Sequence, residues 1–97
     1  MFCTSIIPTV GRKTLQRAVQ SVLDQNFSAD EFEVIVVNDS GSPLPFADWQ
    51  SSPLVRVIHT DHQERCVARN TAAALAKGTY LHFLDDDDWM LPGALKI

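Results

Sequence analysis

Four consecutive aspartates, Asp85 to Asp88, close a short apolar run, Tyr80-Leu81-His82-Phe83-Leu84, and Trp89 follows them. Like charges packed this tightly repel unless a cation or solvent relieves them. A donor set made only of carboxylate oxygens suits the hard cations magnesium, manganese and calcium. The run therefore has two readings: a divalent-metal site at the end of a buried strand, or a solvated acidic turn. A second acid, Asp39, ends another apolar run within Asn38-Asp39-Ser40-Gly41-Ser42-Pro43. Arg69 lies early in an Ala-rich stretch and is a candidate cation for a diphosphate or a base carbonyl. Its alternative is an ordinary exposed helix arginine. His59 and His62 make a His-x-x-His pair, but no Cys or third ligand at helical spacing accompanies them. Solvated loop histidines fit better than zinc.

The elements that must position these residues follow from periodicity. Phe2 to Ile7 is β-prone and mostly apolar, and Pro8 is expected to stop it. After the loop Pro8 to Arg12, Thr14 is a candidate N-cap. Leu15, Ala18, Val19, Val22 and Leu23 then repeat at the spacing of one helix face, with Arg17, Gln20, Ser21 and Asp24 opposite. The helix is expected to end at Gln25 to Ser28. Glu33 to Val37 is apolar nearly throughout, as in a parallel strand covered on both faces. Leu44 to Pro53 reads as a loop with one helical turn at Phe46–Gln50. Leu54 to Ile58 is a third strand, and an outward Arg56 suggests a sheet edge. Cys66 to Lys77 has high helix propensity, with Val67, Ala68, Thr71, Ala72 and Leu75 as its apolar face. Gly78 stands where a helix-ending C′ glycine belongs. Tyr80 to Leu84 is the fourth strand, and Pro92 opens a further helix to Ile97.

Composition bounds the function. With 97 residues there is room for one domain, and 45% hydrophobic residues make it globular. A net charge of −4 argues against a nucleic-acid backbone as partner. Cys3 and Cys66 show no CxxC spacing, so reduced thiols filling apolar space are expected. No apolar run reaches the length of a membrane span, and no signal peptide is recognisable. The expected location is cytoplasmic, with attachment to a membrane surface left open.

The alternation of strands and helices predicts an α/β fold, a Rossmann-like α/β/α sandwich around a mainly parallel four-stranded sheet. Ligands of such sheets bind outside the carboxyl ends of the strands. Those ends are Thr9, Asp39, Thr60 and Asp85, so polar groups gather on one rim, which favours the ligand reading of the aspartates. No GxGxxG follows the first strand, and no P-loop motif GxxxxGK[ST] occurs. What remains is an acidic rim suited to a metal that bridges phosphates.

Five segments, in order, resemble family-2 glycosyltransferases: Ser5-Ile6-Ile7-Pro8-Thr9, Ala18 to Phe27, Glu33 to Ser42, Ala68-Arg69-Asn70-Thr71, and Gly78 to Pro92. The resemblance covers essentially residues 1–97. It implies the nucleotide-sugar-binding part of a GT-A fold. Pro8 and Thr9 would line the nucleotide cleft. Asp39 would contact the base, usually uracil, and Arg69 would lie near base and diphosphate. Asp85, Asp86 and Asp87 would form the family's DxD-type motif, with Asp85 and Asp86 on the nucleotide-sugar side and Asp87, together with Asp85, on Mn²⁺ or Mg²⁺. The partners implied are a nucleoside diphosphate sugar, with UDP-sugar favoured, and a hydroxyl acceptor on a glycan, lipid or other molecule.

The sequence departs from the family at Val10-Gly11, where an aromatic-Asn pair is common, and at Asn38, which replaces a frequent Asp. The acceptor site and the general base of transfer are expected beyond residue 97. The alternative function is a truncated, non-catalytic nucleotide-binding or interaction module, which would self-associate through an uncovered apolar edge. A phosphoacceptor receiver domain is disfavoured, because the acid cluster follows the fourth strand and no suitable Asp and Lys pair comes after it.

Overall fold

A computed structural model describes residues 3–11, 13–25, 31–44, 47–60 and 65–88, with backbone alone for 65–69. The expected helix Pro92–Ile97, Trp89, His62 and the side chains of Cys66, Val67, Ala68 and Arg69 lie outside the described residues. Among the described residues four strands form the sheet: β1 (Cys3–Thr9), β2 (Phe32–Asn38), β3 (Val55–His59) and β4 (Tyr80–Phe83). Their order is β3-β2-β1-β4, and every neighbouring pair is parallel. Helix α1 (Leu15–Leu23) joins β1 to β2, and α2 (Arg65–Leu75) joins β3 to β4. A 3₁₀ turn, Asp48–Ser51, precedes β3, slightly later than the sequence suggests.

Side chains alternate across a strand, so each strand feeds two layers. On one face Leu15, Ala18, Val19 and Val22 of α1 pack against Cys3, Ile7, Phe32, Val34 and Val36, joined by Trp49. On the other, Ala72 of α2 packs on Ile6, Ile35 and Val37. β2 is buried at all seven positions, as its apolar run requires. Burial also pushes the Cys3 thiol above its ordinary range, which keeps it a neutral, inert hydrophobe.

Several local expectations are corrected. Pro8 does not stop β1, which runs on to Thr9 opposite Asn38. The rungs explain this. Cys3 and Thr9 bond towards β2, and Ile6 accepts from Leu84 on the β4 side. By alternation the N–H that Pro8 lacks would face β4, which has already ended at Phe83. Thr14 occupies the N-cap position without a side-chain cap, and its hydroxyl is buried without a partner. Leu75 is 45% exposed; Ala73 and Ala76 pack beside Ala72 in its place. Arg56 marks an edge strand, as expected, yet its guanidinium folds back to the Leu75 carbonyl (2.9 Å) and Glu33 (3.4 Å).

Gly78 is the clearest case. It stands three residues past α2, and the positive φ angles among the described glycines are at Gly11 and Gly41. Its role is close approach: a methyl group there would lie 2.5 Å from the Thr4 nitrogen and 2.6 Å from the Cys3 carbonyl carbon.

Candidate functional site

Because all four strands are parallel, their carboxyl ends share one rim. Thr9 ends β1 and is buried. Its hydroxyl donates to Asp86 Oδ2 at 2.7 Å and accepts the Gly11 N–H at 3.0 Å. Gly11 reaches that position with φ of 91°, a conformation that costs a non-glycine residue strain. One strand over, the Asp39 N–H donates to the Thr9 carbonyl at 2.8 Å. The Asp39 carboxylate accepts the Thr60 hydroxyl at 2.6 Å, and the Thr60 N–H donates to Asn38 O at 3.0 Å. The rim is thus stitched from β3 to β4 by hydrogen bonds between strand ends.

The four aspartates differ in environment. Asp85 is half-buried, Asp86 is 3% exposed, and Asp87 and Asp88 face solvent. A bond from the Asp88 N–H to the Asp85 carbonyl (3.1 Å) closes them into a tight turn. Pro8, Thr9, Asp39, Asp85 and Asp86 therefore come together on the rim, with Asp87 at its solvent edge. Position 69 belongs to α2.

Among the described residues, no three His, Cys, Asp or Glu side chains form a ready-made metal cage. The donor set fits Mg²⁺ or Mn²⁺ nonetheless. Such ions are commonly held by one or two carboxylates, with substrate phosphates and water completing the shell. The half-buried Asp85 and exposed Asp87 offer hard oxygens of that kind.

The sequence marks Thr60 only as a strand end on the rim, and Asn38 and Gly11 only as departures from the family. Asn38 is fully buried. Its amide nitrogen donates to Ser42 O (2.7 Å) and contacts His59 Nδ1 (3.3 Å), while its oxygen accepts from Ser40 N (3.1 Å) and Ser40 Oγ (2.6 Å). The backbone donor at Ser40 fixes the amide orientation, so His59 Nδ1 acts as acceptor. A cavity of about 390 Å³ beside this knot is lined by Asn38, Gly41, Ser42, Pro43, His59 and Thr60. The signal was available in Asn38-x-Ser40, a spacing at which an Asn side chain bonds the backbone two residues on.

A parallel α/β sheet with an acid-bearing carboxyl rim defines the class, and solved structures place it among GT-A folds. The chain superposes on S. aureus TarS (residues 1–349) with a TM-score of 0.74 and 26% identity, over 92% of this chain and 28% of that one. The mannosyltransferase PcManGT of Pyrobaculum calidifontis, at 21% identity and TM-score 0.76, shares the fold over 94% of this chain and 29% of its own. The chain belongs to glycosyl transferase family 2, whose model matches residues 4–97. It is 36% identical over 88 residues to an uncharacterized glycosyltransferase of Haemophilus influenzae, covering 90% of this chain and 30% of that protein. It is 29% identical over 97 residues to the poly(ribitol-phosphate) beta-N-acetylglucosaminyltransferase TarP of Staphylococcus aureus, covering 94% and 30%. The chain thus spans about a third of the length of these curated relatives.

Proposed function

We propose that residues 1–97 form the donor-binding part of a glycosyltransferase that uses a nucleoside diphosphate sugar, with UDP as the nucleotide, and transfers the sugar to an acceptor hydroxyl. The observation that carries this is the hydrogen bond from Thr9 to Asp86, which joins the ends of β1 and β4 into one acidic wall. A TarS structure in complex with UDP-GlcNAc, 27% identical to this chain with a TM-score of 0.71, supports the choice of nucleotide.

The geometry of the rim and the family resemblance support the following roles. Pro8 and Thr9 line the nucleotide cleft. Asp39, held by Thr60, accepts from the base. Asp85 and Asp86 face the nucleotide sugar, and Arg69 on α2 serves the diphosphate or base. Asp87, with Asp85, would hold Mn²⁺ or Mg²⁺, which when bound offsets the charge that builds on the leaving diphosphate. The buried wall excludes water from one side of the cleft and presents acceptors already fixed in direction, so little is spent on ordering them.

The test is thermal stability with UDP, UDP-GlcNAc and GDP, each with and without Mn²⁺. At about a hundred times its Kd a ligand should stabilise by roughly 2.7 kcal/mol, a rise of about 10 °C or more for a domain of this size. UDP with Mn²⁺ is expected to give that rise, and Asp87→Asn to remove its metal-dependent part. A melting point indifferent to every nucleotide would refute the donor site. A metal-linked rise surviving in Asp87→Asn would refute the ligand assignment.

A further inference from the structure

The end of the sheet opposite the rim holds a buried acid that the donor site does not use. Glu33, second residue of β2, lies on the α2 face. Its Oε2 accepts the Thr4 hydroxyl at 2.8 Å and the Lys77 backbone N–H at 2.7 Å. Its Oε1 faces the Arg56 guanidinium at 3.4 Å, and the same guanidinium nitrogen donates to the Leu75 carbonyl at 2.9 Å. Thr4 in turn accepts the Gly78 N–H at 2.9 Å. One carboxylate thereby ties β1, β2 and β3 to the turn between α2 and β4. Every partner donates to it: the Thr4 hydroxyl, the Lys77 backbone N–H and the Arg56 guanidinium.

We propose that Glu33 is a positioning residue for the donor site, acting through the α2–β4 turn. The claim rests on the donor-site reading above. The two elements that leave this turn both run to the rim: β4 leads into Asp85–Asp88, and α2 carries position 69. α2 has 11 residues, so it is about 16 Å long, and a tilt of about 10° at the clamped end moves the far end by about 3 Å. That is a hydrogen-bond length, enough to take a charged group out of contact. Glutamine in place of Glu33 sets an amide NH₂ against a donor whichever way it is turned, and aspartate is one methylene too short to reach both partners.

The experiment compares Glu33→Gln with Val22→Ala, by UDP titration calorimetry and by amide hydrogen exchange of residues 70–88. Val22 is a core residue of α1 on the opposite face and controls for lost stability. Glu33→Gln is expected to weaken UDP about tenfold, the worth of one charge-assisted hydrogen bond, and to speed exchange at 80–88. Val22→Ala should change UDP affinity by no more than about twofold, because distant sites act independently. Unchanged affinity and exchange in Glu33→Gln, or equal losses in Val22→Ala, would overturn the proposal. Wild-type protein that fails to bind UDP would sink the donor assignment, and the exchange data would then decide the clamp on their own.

Discussion

Gly78 separates two physical accounts with one pair of substitutions. As a C′ glycine ending a helix it would need positive φ, where asparagine is tolerated and alanine costs about 1 kcal/mol. As a close-approach glycine it cannot carry any side chain. A methyl group at 78 would have to retreat about 0.9 Å from the Thr4 nitrogen to reach ordinary contact at 3.4 Å, and the atoms it meets are mostly backbone of the central strand β1. Such overpacking costs about 1–3 kcal/mol. The retreat also stretches the 2.9 Å bond from Gly78 N–H to Thr4 Oγ1, worth about 1 kcal/mol. A stiffer unfolded chain returns about 0.4–1 kcal/mol. Gly78→Ala should therefore lose roughly 2–3 kcal/mol, a fall in melting temperature of about 10–20 °C, and Gly78→Asn should lose at least as much. Thermal unfolding followed by circular dichroism reads both. An asparagine variant as stable as wild type would refute the close-approach account.

Three further outcomes are expected. Thr9→Val strips Asp86 of a 2.7 Å donor and leaves the Gly11 N–H without its acceptor; urea unfolding should show a loss of about 2–3 kcal/mol, restored by Thr9→Ser, and an unchanged midpoint would contradict the stitched rim. Asn38→Asp turns a carboxylate oxygen onto the Ser42 carbonyl in place of a 2.7 Å donor and should cost about 1–3 kcal/mol, which a wild-type urea midpoint would disprove. Burial pulls His82, bonded to Ser5 at 2.9 Å, below its ordinary value of 6.5. The unfolded chain then binds the proton first, so stability should drop as pH falls below about 6.5. A melting temperature equally acid-sensitive between pH 7.5 and 5.5 in His82→Gln would remove His82 as the cause.

The fold was legible where the signal is local. The apolar spacing of α1 and the unbroken run of β2 predict elements that differ from the structure by a residue or two. The errors arise where the deciding contact is distant in sequence. Whether Pro8 ends a strand depends on which neighbour its missing N–H would face, and β4, some 75 residues on, settles that. Whether Leu75 is core depends on how α2 rolls on the sheet, and the small residues Ala72, Ala73 and Ala76 pack there instead. A glycine reads the same in sequence whether it supplies positive φ or room for a neighbouring backbone.

The site divides along the same line, and the division bears on how a donor would be held. Parallel topology alone places Thr9, Asp39, Thr60 and Asp85 on one rim, so its chemistry can be read from strand ends. The inequality of the aspartates cannot, because it depends on the register of β4 against β1. Asp39 and Asp86 each accept a threonine hydroxyl from another strand end, at 2.6 and 2.7 Å, and are fixed in direction before any ligand arrives. Asp87 lies at the solvent-exposed edge of the rim. These are different environments for the same side chain. A carboxylate that must recognise a base or sugar hydroxyl gains from being held still, since ordering it on binding would cost affinity. One that must meet a cation whose shell is completed by water and phosphates gains from an exposed position. On the proposed function, therefore, substitutions at Thr9 or Thr60 should weaken nucleotide binding with or without metal, whereas substitution at Asp87 should weaken only its metal-dependent part.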